Sequence, residues 1–513
     1  MVVIWHCCLR NALSTAANAA QTRRRSPDTN RELSMSQSVH VRAFRDLVGD
    51  GGIVDDPERI ATYTSDQRQL FTGATFAVLK PATTQQVADI VRLATHHGIG
   101  IVPQGGNTSY CGGATPDASG RQIIVSLERI DRIRELDPVS MSISVDAGVI
   151  LKHVQDAAAA AGLLLPLSLG AEGSCRIGGN IGTNAGGLSV VRYGMTRDLL
   201  LGIEAVLADG TVVSDMRKLR KNNTGYDVKQ CFVGSEGTLG IVTGAVLRLA
   251  PLPTRRATAW LKLANGAPLA ALLALVRRES SDLLTTFEFM AARSIALASE
   301  AMTDPPSLRA GPAGAVLVEL ASSSRHLDLD ELMEAILAEA IESGWIEDAL
   351  LAQSGSQRTA MWRLRETIPE GEKRRNGSVK HDISVPLSSI QHFLDQAGSQ
   401  VRSYDADLKL SVYGHVGDGN LHYNVLVPPD VDRLEFTKRI EGSLSLQLYD
   451  TAAALGGTFS AEHGVGRFKK HLLERYGDPG RIAAMRRIKT AFDPADIMNA
   501  GAVVCPLGEK SGR

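Results

Sequence analysis

The apolar and polar positions change pattern several times along the chain. Over residues 36–75, Val41, Phe44, Leu47 and Val48 recur at helical spacing and predict a small helical lead-in. From Ala77 short apolar runs alternate with helical patterns. Phe76-Ala77-Val78-Leu79 reads as a strand ended by Pro81, and Thr83 with Gln86 resembles a capping box. Val87, Ile90, Val91 and Ala94 mark one helix face, and Gly98 sits where that helix stops. Gly100-Ile101-Val102-Pro103 makes the next strand, so strand, helix and strand form a βαβ unit. Further strands are predicted at 122–127, 141–146, 203–208, 211–214 and 240–249, with a helix at 150–161. Asp209-Gly210 is a hairpin turn, and Pro251 and Pro253 close the unit.

Residues 254–489 read differently. Helices are predicted at 267–279, 328–343, 357–375, 387–399, 432–454 and 473–490. Strands are predicted at 257–263, 314–321, 380–385, 408–415 and 421–427. The fold class is therefore α+β, with antiparallel strands covered by helices in the second half. The expected organisation is an extension (1–34), the lead-in (35–75), a first domain (76–253), a second domain (254–489), and a tail (490–513) that returns to the first domain.

Composition narrows the function classes. The formal net charge of −1 gives no electrostatic case for nucleic acid or an anionic membrane. No run of eighteen apolar residues exists, so no integral membrane segment is expected. Six scattered cysteines form no disulfide framework and suggest a reducing compartment. The first 34 residues carry Arg10 and Arg23-Arg24-Arg25 with no acid before Asp28. Two readings stand, a transit peptide or an upstream start with Met35 as the true one. In either case this stretch is expected to be disordered and outside the fold.

Three glycine-rich stretches carry the first chemical signal. Pro103-Gln104-Gly105-Gly106-Asn107-Thr108 follows a predicted strand, and glycines there remove the Cβ atoms that block a phosphate. The spacing is not Gly-x-Gly-x-x-Gly, which disfavours a Rossmann nicotinamide site. Gly178 to Gly187 packs five glycines into ten residues, and Gly234 to Thr243 adds three more beside a strand. Together they imply a long, flat ligand held by backbone, as an extended dinucleotide would be.

A second signal lies in the other half. His415 ends one predicted strand, Val416–Asn420 is a turn, and period-two alternation puts His422 and Asn424 on one face of the next strand. With Glu462, two imidazoles and a carboxylate suit a catalytic Zn²⁺ or a similar divalent ion. Hydrogen-bonded structural histidines are the other reading of the same spacing. His463, beside a ligand, is better placed as a general base. Arg365 and Lys380 are cations able to grip an acid, though each taken singly is also an ordinary surface charge. His381 and Asp382 fit a structural role equally well.

The three glycine-rich stretches resemble the FAD domain of the vanillyl-alcohol-oxidase-like flavoproteins over about residues 76–252. That resemblance implies a PCMH-type FAD-binding domain of two subdomains. It places FAD at Pro103, Gly105, Gly106, Asn107, Thr108, Gly178, Gly179, Asn180, Gly182, Thr183, Asn184, Gly187, Glu236, Gly237, Gly240, Ile241 and Val242, with Asn499 from the tail. Gln104 stands where relatives often carry arginine. No histidine lies in Pro103–Cys111, so the FAD is expected to be non-covalent.

Trp362–Glu366, Lys380–Pro386, Gly414–Asn424, Glu462–Gly466 and Asp493–Gly501 resemble the 2-hydroxy-acid dehydrogenase branch of that family, the D-2-hydroxyglutarate dehydrogenases above all. The resemblance implies zinc on His415, His422 and Glu462, His463 as base, and substrate on Arg365, Lys380 and Asn424 of an α+β substrate-binding cap domain. The implied reaction is oxidation of a D-2-hydroxy acid, D-2-hydroxyglutarate first, to the 2-keto acid, with hydride passing to flavin N5 and the ion assisting deprotonation. Pro369 replaces a threonine frequent in hydroxyglutarate enzymes, which keeps D-lactate or glycolate as the alternative. The resemblance also implies a quinone or an electron-transfer flavoprotein as acceptor. It implies the cytoplasm in a bacterium and the mitochondrial matrix in a eukaryote, and it leaves a homodimer open. The other classes are a sugar or phenol oxidase, which uses oxygen rapidly without depending on a metal, and a non-catalytic flavin subunit, which needs neither metal nor base.

Overall fold

A computed structural model describes the backbone from Pro27 to Leu507. The arginine-rich stretch at 1–26, most of the expected extension, lies outside the described residues. The first helix, Pro27–Val48, starts earlier than the apolar pattern indicated.

The lead-in belongs to the first sheet instead of standing apart. Phe44 and Val48 are buried in the first core, and Ile53–Val54 pairs antiparallel with Thr75–Leu79. Thr75–Leu79, Gln122–Ser126 and Gly100–Gln104 then run parallel, which completes four strands. The helix Thr84–His96 connects two of them, and its start is capped as its sequence indicates. Thr83 Oγ1 accepts the Gln86 N–H, and Gln86 Oε1 accepts the Ala82 N–H.

A second, antiparallel sheet orders Ile133–Asp137, Ser142–Asp146, Ile241–Arg248, Leu200–Val206 and Val212–Asp215. Ile133–Asp137 was not predicted. It is a polar edge strand whose Arg134 pairs with Asp146 and Glu204, so it shows no apolar alternation. Both sheets share one core.

The second half holds an eight-stranded sheet. Its order begins Ile346–Leu351, Arg255–Leu263, Ala315–Ser322, Leu284–Met290, then continues Leu410–Gly414, Asn420–Leu426, Ser378–Val379. Asp382–Ser384 also pairs with Asn420–Leu426. Two of these strands, Leu284–Met290 and Ile346–Leu351, escaped prediction, as did the helix Ala292–Ala301. Leu284–Met290 is buried on both faces, and its Thr285, Thr286 and Glu288 interrupt the apolar run.

Three predicted helices are each broken in two. Residues 357–375 divide at Thr367, where Pro369 opens Ile368–Arg374 at a position that needs no N–H donor. Residues 432–454 divide at Gly442 and Ser443. Residues 473–490 divide at Gly477, and Asp478 caps the next helix through the Arg481 N–H at 2.7 Å.

The tail is fastened by Lys489, which is 1% exposed. Its Nζ donates to Thr238 O at 3.0 Å, Met498 O at 2.8 Å and Asp493 Oδ2 at 2.5 Å. Beyond it the chain pairs with Gly100–Gln104: Ile101 N–H donates to Ile497 O, and Asn499 N–H donates to Ile101 O, both at 2.7 Å. Lys489→Met leaves the buried Asp493 carboxylate without its cation. That change is expected to cost ~3–5 kcal/mol, read as a lower urea midpoint; an unchanged midpoint would show the amine dispensable.

Candidate active site

His415 follows the strand Leu410–Gly414, and a tight turn through Gly419 (φ 91°) returns the chain as Asn420–Leu426. The antiparallel register sets Tyr413 opposite His422. The rings of His415 and His422 lie 5.5 Å apart. Alternation keeps Asn424 on the face of His422, and Asn424 Nδ2 donates to Glu372 Oε1 at 2.9 Å.

Glu462 and His463 arrive on a separate loop, and Asp382 places it. One Asp382 oxygen accepts the N–H groups of Glu462 (3.0 Å) and His463 (2.9 Å), and the other accepts Asn420 Nδ2 at 3.0 Å. His422 Nε2 then stands 3.7 Å from Glu462 Oε1, and His463 Nε2 stands 3.5 Å from the same oxygen. Ligand atoms of Asp382, His422, Glu462 and His463 all fall within 4.8 Å of one another. His415, expected as the third ligand, is not in this tightest group. Both Asp382 oxygens are taken up, one by the loop N–H groups and the other by Asn420, which makes Asp382 an anchor for the loop. The donors left to an ion on that side are His422, Glu462 and His463, with His415 one ring away.

Burial dominates the electrostatics. It holds His422 well below the ordinary histidine range and lowers His463 to about 4, so both imidazoles are neutral with a free lone pair. It also raises Glu462 to about 7. At His415 burial opposes charge, but the neighbouring Glu288 carboxylate outweighs it and raises the group to about 9.

Glu288 is the residue the sequence reading missed. It is 1% exposed on the strand Leu284–Met290. One oxygen lies 2.5 Å from His415 Nδ1, and the other accepts from Arg365 Nε at 2.6 Å. Arg365 is therefore no surface cation; it is 6% exposed, with its guanidinium 4.9 Å from the Tyr413 ring centroid. Glu372, equally unforeseen, accepts from Lys380 Nζ at 2.9 Å and Ser378 Oγ at 2.8 Å as well as from Asn424. The available signal was a glutamate flanked by two phenylalanines, since a carboxylate in a buried strand needs partners. His381 is structural: both ring nitrogens are engaged, by Tyr423 O and Ser445 Oγ.

The glycine-rich stretches meet on the first half. Gly106 lies against the Ser174 carbonyl and Gly187 against the Ser168 carbonyl, where a Cβ would approach to 2.2 and 1.9 Å. Those two glycines serve close backbone packing. Gly179 instead faces open space, with nothing within 4 Å of a Cβ placed there, and Gly182 is nearly as free. Among the described residues, the buried Asn180 Oδ1 has no hydrogen-bond partner. An open backbone cradle beside an orphaned acceptor fits an extended, flat cofactor of the FAD kind. Asn107, Asn184, Glu236, Gly237 and Asn499 all adopt positive φ, which shapes the turns around it. Thr183 Oγ1 bonds Gly179 O, and Ile241 and Val242 are buried where their strand begins.

Some side chains expected at the cofactor are used otherwise. Gln104 donates to Tyr63 O (2.9 Å) and Ala114 O (2.8 Å) and is buried, so it does not replace an arginine at a phosphate. Glu236 Oε1 accepts the N–H groups of Val465 (2.8 Å) and Gly466 (3.1 Å). Asn499 donates to Gly113 O and Glu236 O and accepts from Arg467. These bonds lace the His463 loop and the tail onto the first half. Tyr110, three residues after Asn107, meets the His463 ring edge-on at 4.9 Å. The neutral imidazole is thereby fixed next to the cradle.

A cofactor cradle joined to a buried acid–base site defines an FAD-linked oxidoreductase. Residues 76–215 match the family described as "FAD binding domain", and residues 252–503 match "FAD linked oxidases, C-terminal domain". The chain belongs to this FAD-linked family, in the branch of the D-2-hydroxyglutarate dehydrogenases. It is 36% identical over 471 residues to a probable mitochondrial D-2-hydroxyglutarate dehydrogenase of Oryza sativa subsp. japonica, covering 91% of this chain and 82% of the relative. It is 33% identical to the D-2-hydroxyglutarate dehydrogenase of Stutzerimonas stutzeri, covering 91% and 99%. The solved structure of p-cresol methylhydroxylase with substrate bound shares the fold, with a TM-score of 0.73 at 19% identity, covering 92% of this chain and 98% of that one. Among the described residues no helix is long and apolar enough to cross a membrane.

Proposed function

We propose that the chain oxidises the C2 hydroxyl of a D-2-hydroxy acid, D-2-hydroxyglutarate first, to the 2-keto acid. The observation that carries this reading is the half-buried, neutral His463, anchored by Asp382 between Glu462 and the cofactor cradle. Asp382 Oδ2 faces His463 Nδ1 at 3.5 Å, which favours the ring proton there and leaves Nε2 to take the substrate hydroxyl proton. Arg365 spends Nε on Glu288, and among the described residues its terminal nitrogens have no hydrogen-bond partner, leaving them for a substrate carboxylate. Lys380 adds a second cation, and Asn424 orients the substrate beside it. His415, His422 and Glu462 would hold a zinc or similar divalent ion, which when bound polarises the hydroxyl and lowers its pKa. FAD in the cradle supplies the two-electron acceptor for the C2 hydride.

A quinone or an electron-transfer flavoprotein is the proposed final oxidant, and the cytoplasm or the mitochondrial matrix the proposed compartment. D-lactate or glycolate is the second substrate reading, favoured by Pro369, which brings no hydroxyl to the start of Ile368–Arg374. Anaerobic stopped-flow bleaching of the flavin by D-2-hydroxyglutarate, D-lactate and glycolate, with and without a chelator, tests all of this. Fastest reduction by D-2-hydroxyglutarate, slowed by chelation, is expected. Faster reduction by D-lactate or glycolate selects the second reading, and no bleaching by any hydroxy acid overturns both.

A further inference from the structure

We infer that Glu288 is a positioning residue that selects the tautomer of His415 and pins Arg365 with the same carboxylate. The inference rests on the proposed metal site. Phe289 pairs with Gly414 and Met290 with Tyr413, so continuing this antiparallel register brings Glu288 opposite His415. Its two oxygens are divided between the two sites: 2.5 Å to His415 Nδ1 and 2.6 Å to Arg365 Nε. A carboxylate only accepts, so it holds a proton on Nδ1 and makes Nε2 the nitrogen that an ion would take, displacing any proton there. Guanidinium only donates, so the other oxygen is equally committed. One buried group thus sets a metal ligand and a substrate cation together. Glu372 shows the same economy for Lys380 and Asn424, yet it touches no proposed ligand.

Glu288→Gln separates this role from mere ion pairing, because the isosteric amide has one acceptor and one donor end. Arg365 can only face the acceptor end. The amide N–H₂ must then face His415 Nδ1, which moves the ring proton to Nε2 and removes the lone pair from the metal side. Zinc affinity, measured on flavin-loaded protein by competition with a chromogenic chelator, is expected to fall roughly 10–100-fold, the range for loss of such a partner. Glu372→Gln is the control and should keep wild-type zinc affinity. Zinc binding by Glu288→Gln within twofold of wild type overturns the inference. A wild-type protein that holds no zinc overturns the metal reading instead, so the two failures are distinct.

If Glu288→Gln does not accumulate as flavin-loaded protein, ¹⁵N NMR of the histidine-labelled, zinc-loaded wild type decides. The His415 signal, assigned by its loss in His415→Gln, should show Nδ1 protonated and Nε2 bound. Nδ1 bound would overturn the proposal.

Discussion

His463→Ala is expected to keep the fold and the flavin while slowing single-turnover flavin reduction by the hydroxy acid roughly 10²–10⁴-fold, the usual worth of a positioned base. The loop does not depend on the imidazole. It is held by the backbone N–H groups of Glu462 and His463 on Asp382, and of Val465 and Gly466 on Glu236, and alanine keeps all four. What alanine removes is a neutral ring, lowered to about 4 by burial and so unprotonated throughout the neutral range, with Nε2 placed to receive the hydroxyl proton. Unslowed reduction in a rapid-mixing experiment would remove His463 from the chemistry and leave the proton to water or to another side chain.

Arg365→Ala should fail in the opposite way, through stability as well as turnover. The substitution strips Glu288 of one of its two partners in a site from which water is excluded. Removing one partner of a buried ion pair costs ~3–5 kcal/mol, reduced here by the His415 contact that remains, measured as a lower melting temperature and urea midpoint. The cation–π contact with Tyr413 is lost at the same time. Adding Glu288→Ala to Arg365→Ala is expected to restore part of the stability, though not hydroxy-acid oxidation. An Arg365→Ala protein as stable as wild type would mean that the guanidinium is not neutralising Glu288.

The sequence reading succeeded where a local pattern was enough. Thr83 and Gln86 marked a helix start, and period-two alternation set His422 and Asn424 on one face. It faltered where a position derives its meaning from a distant partner. Glu288 meets Arg365 across 77 residues and His415 across 127, and no spacing rule connects them. Asp382 read as structural or functional with equal ease, because its task is to accept N–H groups from a loop some eighty residues later. The divided helices have a different cause. Apolar periodicity continues through Thr367 and Ser443, while the backbone turns aside for a proline in one case and for Gly442 in the other. Glycines counted as cofactor contacts proved to serve two purposes, and only their neighbours in space tell Gly106 from Gly179.

The pairing of Ile497 and Asn499 with Ile101 has a consequence for biosynthesis. Gly100–Gln104 is the outermost strand of its sheet, and the partner that covers that edge lies almost four hundred residues further along the chain. The nucleotide-holding half therefore stays unfinished on the ribosome until Ile497 and Asn499 emerge. Cofactor loading then waits for that segment, and a nascent chain stalled before Lys489 should emerge colourless.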